Sequence, residues 1–224
     1  MNFFGHALVA ASQSTDPAWV LGAMAPDFAT MGGVRLEGPR ERRGQPKTRL
    51  NQGVAFHHTT DEAFHGAPSF LALMKEARLD LQAREVGTGA ALGISHVGVE
   101  LLLDGWLLET RGLPECYGAA LAAGAELGAE LRFRGEDPEG SRAQWEYVCR
   151  RLQDAPVPAG YRDPDFVAER LIGILAKRPR LAVVPGKERG VHDWAELFLP
   201  RVAERGPALW EEVGESFGVD PDDV

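Results

Sequence analysis

Apolar residues recur at three- and four-residue intervals along most of this chain, and almost no segment alternates apolar and polar positions between turn residues. The pattern therefore predicts helices and no sheet. Short helices are expected over Phe3–Ala11 and Pro17–Met24, the second with Asp16 as its cap and Pro17 at its first position. Gly32–Arg49, rich in Gly, Pro and Arg, reads as a loop. Asn51 is expected to cap a helix running to about Gly66, and Pro68 to open another through about Arg84. A longer helix follows from Thr88 to Glu109, bounded by Gly87 on one side and Gly112 and Pro114 on the other. Further helices are expected over Cys116–Arg132, Ser141–Gln153 and Asp163–Lys177, then a final pair between Asp193 and Val213, with Gly214 as a stop. Ala90–Leu108 is the most apolar stretch. It carries His96, Glu100 and Asp104, three groups costly in lipid, and so reads as a buried helix and not a membrane span.

Composition narrows the classes. A chain of 224 residues can bury a core without disulfides, and 44% hydrophobic with 25% charged residues is ordinary for a globular protein. A net charge of −9 argues against a nucleic-acid partner, because phosphate backbones call for a basic surface. Cys116 and Cys149 are too few and too far apart for a disulfide framework or a thiolate metal site and read as reduced thiols. No Lys or Arg precedes Arg35, so the positive n-region of a signal peptide is missing, and a cytoplasmic location is expected.

Candidate chemistry concentrates in the first half, where His6, His57, His58, His65 and His96 all precede residue 97. His57, Asp61 and His65 fall at successive i, i+4 steps, which stack side chains along one helical face. His96, Glu100 and Asp104 repeat the pattern in a helix otherwise apolar all round (Ile94, Val97, Val99, Leu101, Leu102, Leu103). Such a helix is buried, and its carboxylates need partners. One His–Asp pair would read as a structural ion pair. Two stripes of three point instead to a divalent cation, which makes the whole set favourable. The mixed nitrogen and oxygen donors suit Mn, Fe, Zn or Ni better than Ca, for one ion or two. By itself His6, in an apolar helix, reads as a hydrogen-bonded core histidine, and Asp27 as a turn cap. His192, beside Asp193 and Trp194, reads as structural. His58, about 100° around the helix from His57, is placed to face substrate.

These motifs resemble a family. Met1-Asn2-Phe3-Phe4-Gly5-His6 is similar to the N-terminus of bacterial acyl carrier protein phosphodiesterases, and Leu21-Gly22-Ala23-Met24-Ala25-Pro26-Asp27-Phe28 to their next motif. Gly53-Val54-Ala55-Phe56-His57-His58-Thr59-Thr60-Asp61 through Pro68 aligns with their Gly-x-x-x-His-x-x-x-Asp segment, Glu100 and Asp104 fall where they carry two aspartates, and Phe166–Arg178 is similar to their C-terminal helix. The resemblance implies an all-α fold related to HD-domain phosphohydrolases, a divalent metal with Mn foremost, and His6 and Asp27 as further ligands. It also implies hydrolysis of the phosphodiester that joins 4′-phosphopantetheine to a carrier-protein serine. Departures are several. His58 and Thr59 stand where the family has basic residues, Ala23 where it has Asn, His65 where it has an acid, and His96 where it has a small residue. The extra histidines suggest a richer nitrogen donor set, hence another metal or a second one. An acidic carrier protein would also be repelled by the net charge of −9 unless Arg35, Arg40, Arg42, Arg43, Lys47 and Arg49 form a docking loop. Ala25-Pro26-Asp27 and Ser95-His96 bear a shorter resemblance to the zinc-dependent phospholipase C-like group.

The resulting expectation is an all-α, HD-domain-like, single-domain helical bundle over residues 1–224, with a metal site within 1–110, C-terminal helices over 111–213 and an acidic tail over 214–224. The activity expected is that of a metal-dependent phosphoesterase acting on a phosphoester substrate, with acyl carrier protein as a candidate partner and no nucleic acid or membrane. His57, Asp61, His96, Glu100 and Asp104 are the leading ligands, His6 and Asp27 the next, and His58 and His65 the candidate proton donors or ligand supports. The alternatives are an HD-like iron-dependent oxygenase and a non-catalytic helical binding protein with a degraded site.

Overall fold

The computed structural model describes residues 1–37, 48–157 and 159–219. Among them are ten α-helices: α1 (Phe3–Gln13), α2 (Pro17–Met31), α3 (Arg49–Gly66), α4 (Pro68–Ala83), α5 (Thr88–Arg111), α6 (Tyr117–Ala122), α7 (Gly124–Leu127), α8 (Pro138–Asp154), α9 (Pro164–Ala176) and α10 (Glu188–Glu215). Two 3₁₀ turns, Gly128–Glu130 and Ala159–Arg162, complete the regular structure. The only strand-like pairing in the described residues is an isolated bridge between Leu36 and Phe133. The all-α class expected from periodicity is what the chain has. Most of the basic loop, and the acidic residues Asp220, Asp222 and Asp223, lie outside the described residues.

The helices assemble into two compact units, each built from discontinuous segments. The first comprises Met1–Asn2, Phe64–Thr110 and Pro158–Ser216, and holds α4, nearly all of α5, α9 and α10. In α10 the residues Val191, Trp194, Phe198, Val202, Gly206, Leu209 and Val213 recur at three- and four-residue intervals and are all buried, so one continuous stripe faces the core. In place of the expected pair there is one helix, with Pro200 and Pro207 inside it. Each removes a backbone bond, but neither interrupts the stripe, and the helix runs through both and past Gly214. Trp194 stacks on Phe198 with ring centroids 5.1 Å apart, and its indole fills the space left by the missing side chain of Gly98 on α5. α5 is long and apolar enough to span a bilayer by length and composition, with 67% of its most apolar window buried inside the protein.

α4 shows how this unit satisfies a helix start. Ala67 offers no capping side chain. Glu212 of α10 takes over, accepting from the Ser69 backbone N–H at 2.9 Å and the Ser69 hydroxyl at 2.6 Å. Glu212→Ala is expected to cost about 1.5–3 kcal/mol, the range for hydrogen bonds to charged groups, read as a lower midpoint in urea with an unchanged slope.

The second unit comprises Phe3–Ala63, Arg111–Val157 and Phe217–Val224. Its core is aromatic: Phe3 packs edge-on to Phe28 (5.5 Å), Phe4 to Tyr117 (5.8 Å), and Phe28 against Trp145 (6.0 Å). Burial of Phe28 and Ala29 carries α2 on past Pro26, beyond the expected end at Met24. At the start of α3 the Thr48 hydroxyl oxygen accepts from the Asn51 N–H at 3.3 Å, so Thr48 takes the capping role expected of Asn51. The single helix expected over Cys116–Arg132 is instead broken into α6, α7 and a 3₁₀ turn. Trp145 of α8 donates its indole N–H to the Gly124 carbonyl at 2.7 Å, and Gly124 and Gly128 let α8 approach closer than a side chain would permit. Cys116 and Cys149 are buried free thiols, and burial pushes the Cys149 thiol up to about 12, away from reactivity.

Candidate metal centre

The site in the second unit begins with two glycines. Gly22 on α2 and Gly53 on α3 face each other so closely that a methyl group on either would overlap backbone of the opposite helix, the Leu50 carbonyl in one case and the Trp19 carbonyl in the other. One turn beyond Gly53, His57 reaches the Ala23 carbonyl and donates its Nδ1–H over 2.8 Å. His6 of α1 enters from the other side, its Nδ1 2.7 Å from the Thr60 hydroxyl oxygen. That hydroxyl also lies 2.9 Å from the His57 carbonyl and 3.2 Å from that of Phe56; when it gives its single proton to the His57 carbonyl, it accepts from His6, whose Nδ1 is then the protonated nitrogen. In a neutral ring that donates from Nδ1, the lone pair left for a metal is at Nε2.

Asp27, about one turn past Ala23 on α2, supplies a carboxylate to the same place. One donor atom from each of His6, Asp27 and His57 lies within 4.8 Å of the others. The two rings sit 3.9 Å apart at 34°. His6 is fully buried and His57 is 5% exposed. Burial first, and then the neighbouring His6, depress His57 from 6.5 to about 3, with the Ala23 hydrogen bond and Asp61 opposing. His57 is therefore neutral, as a ligand must be. Asp61 stands at the rim, its Oδ1 3.7 Å from His6 Nε2 and its side chain 35% exposed. His58 is exposed and lies edge-on to the His57 ring at 5.4 Å.

The first unit gathers a second group. His65 in the last turn of α3 and His96 on α5 place their Nε2 atoms 3.0 and 3.2 Å from the same oxygen of Glu100, and the Met1 amino group lies 3.1 Å from that oxygen too. Burial alone would raise the Glu100 carboxyl, but the Met1 ammonium and the two histidines more than offset it and hold the group well below the usual carboxylate range. Asp104, one turn on, is fully buried and accepts from the Asn2 side chain at 2.8 Å. Together with burial, which is the larger effect, it pushes the Tyr161 hydroxyl up to about 12.

No family model, no curated protein and no solved structure matches this chain. The resemblance to acyl carrier protein phosphodiesterases thus rests on its sequence motifs. Of the expected ligands, the structure brings His6, Asp27 and His57 together in one group, and His96 and Glu100 in the other with His65, which was expected as a proton donor. Among the described residues, Asp61 and Asp104 are in neither of the two three-donor groups. His192, expected to be structural, lies within hydrogen-bond distance of Asp165 (2.7 Å) and Glu169 (3.1 Å). Thr60 and the Ala23 carbonyl, which anchor the two rings through Nδ1, were not anticipated. Their one sequence signal is that Thr60 follows His57 by three residues, on the same side of the helix.

Proposed function

We propose that this protein is a divalent-metal-dependent phosphoesterase whose reaction centre is formed by His6, Asp27 and His57. The observation that carries the reading is the pair of buried imidazoles anchored through Nδ1 to Thr60 and Ala23, with one donor atom of each within 4.8 Å of the other and of an Asp27 carboxylate oxygen. Two neutral nitrogens and a carboxylate fit Mn, Fe, Zn or Ni, which answers the donor requirement from this chain's own residues. When bound, such an ion supplies a water of lowered pKa and polarises a phosphoryl oxygen.

The remaining work falls to groups at the rim. Asp61, half-exposed and against His6, is placed to take a proton from an attacking water at its carboxylate. His58, outside the buried pair, is placed to deliver a proton to the leaving oxygen. The resemblance makes the substrate a phosphodiester, with phosphopantetheinylated acyl carrier protein as the first to test. On the carrier-docking segment, Arg49 is already engaged, pairing with Asp16 at 3.2 Å and lying 5.0 Å over the Trp19 ring.

The test is hydrolysis of bis(p-nitrophenyl) phosphate and of phosphopantetheinylated carrier protein by chelator-stripped protein before and after adding back Mn²⁺. Turnover should be at background without metal and return with it. Asp61→Asn should lower it while leaving the ion in place. A protein that holds an ion through His57 yet cleaves no phosphodiester refutes the phosphoesterase reading, and one that holds none there refutes the centre itself.

A further inference from the structure

Beyond that reaction centre, we infer that His65, His96 and Glu100 form a second cation site, carried by the first unit alone and selective for a zinc-like first-row divalent ion. One donor atom from each residue lies within 4.8 Å of the others, and both imidazole Nε2 atoms converge on one oxygen, Glu100 Oε1, at 3.0 and 3.2 Å. Two helices supply the set. His96 and Glu100 are one turn apart on α5, and His65 comes from the last turn of α3.

Hydrogen bonding alone accounts poorly for this arrangement. Two imidazoles and the Met1 amino group crowd a single carboxylate oxygen, which offers two lone pairs. A donor pair serving only to neutralise Glu100 would gain by spreading over both oxygens. An ion among the three groups replaces the two Nε2 protons and is bonded by two nitrogens and a carboxylate at once. Phe70 walls the site, its ring 5.3 Å from His65 and 5.7 Å from His96, and so limits the imidazole rotamers. The site is also reached by solvent: the His65, His96 and Glu100 side chains are 30%, 42% and 12% exposed, leaving room for water to complete the coordination. Two nitrogens and one oxygen favour Zn²⁺, Co²⁺ or Ni²⁺ over Ca²⁺ or Mg²⁺, which take oxygen-rich shells. His65 and His96 are also two of the positions where this chain departs from the family it resembles, whereas Glu100 falls where that family carries an aspartate, so the two nitrogen donors are this chain's own addition.

The experiment titrates chelator-stripped full-length protein with Co²⁺, following visible absorption and bound metal per chain, and repeats it with His96→Ala, Glu100→Gln and His57→Ala. Wild type should take two equivalents. His96→Ala and Glu100→Gln should each lose the same one, with affinity for it down more than about 100-fold, and His57→Ala should lose the other. Zn²⁺ should raise the Tm of His57→Ala but not that of a His57→Ala, His96→Ala double variant. If wild type takes one equivalent and both His96→Ala and Glu100→Gln keep it, the second site is refuted while the reaction centre stands. If the single equivalent is lost in His96→Ala and kept in His57→Ala, the second site stands and the reaction centre falls. Circular dichroism that matches wild type shows that each variant is folded. Glu100→Gln keeps the shape of the side chain, so it preserves the test should the alanine variant misfold.

Discussion

Gly53→Ala is expected to destabilise the protein by about 3 kcal/mol and to abolish ion binding at His6, Asp27 and His57. In an exposed helix the same change would stabilise by roughly 1 kcal/mol through helix propensity. Here the added methyl would fall inside the van der Waals shell of the Trp19 carbonyl oxygen and 2.9 Å from the Gly22 Cα. Both neighbours are backbone, so no side chain can rotate aside, and α2 and α3 must separate. Separation lengthens the 2.8 Å bond from His57 to Ala23 and draws Asp27 away from the two imidazoles. Gly173→Ala on α9 is the control, because nothing lies within 4 Å of its added methyl. Urea unfolding should shift down for Gly53→Ala and hold or rise for Gly173→Ala. Equal shifts, or a Gly53→Ala protein that binds metal as wild type does, would show that the helix crossing does not position the site.

The helices were legible because their signals are local. Asp16-Pro17 and Asp163-Pro164 each pair a capping carboxylate with a proline at the first helical position and open helices where expected; Asp137-Pro138 does the same and starts α8 three residues before the expected Ser141. Breaks were less legible because they depend on partners. Nothing near Gly124 announces that Trp145 takes its carbonyl, and nothing near Pro200 or Pro207 announces that a buried stripe carries α10 through. The site follows the same division. Periodicity singled out His57, His65, His96 and Glu100, and each falls in one of the two groups of converging donors. It could not say which residue each faces. His57 and His65 are two i, i+4 steps apart, so their backbones are separated by about 12 Å along the helix, too far to share one ion. The stripe divides accordingly, with His57 turning to His6 and Asp27, and His65 to His96 and Glu100. His6 and Asp27 gain their meaning only in three dimensions, since neither has a chemical neighbour along the chain.

Acid should expose what His57 contributes. In the unfolded chain it titrates near 6.5, whereas in the folded protein burial and His6 hold it down to about 3. Between those values the unfolded state binds the extra proton, so stability is full above pH 6.5 and is lost as the pH falls toward 3. From pH 7 to pH 4.5, in the presence of chelator, this one residue should account for a loss of about 2–3 kcal/mol. Carboxylates whose native pKa is depressed, Glu100 among them, add to acid sensitivity at lower pH, so the total slope alone cannot identify the cause. His57→Asn separates them. The asparagine amide can stand where Nδ1–H stands and still donate to the Ala23 carbonyl, but it has no proton to gain in this range. Urea unfolding at pH 7 and pH 4.5 should show the variant losing about 2 kcal/mol less than wild type between the two. The variant also lacks the Nε2 donor and should not retain an ion with His6 and Asp27 at any pH. Equal losses in the two proteins would mean that His57 is not held neutral in the fold. Its Nε2 would then be protonated in the pH range where the reaction centre needs a lone pair.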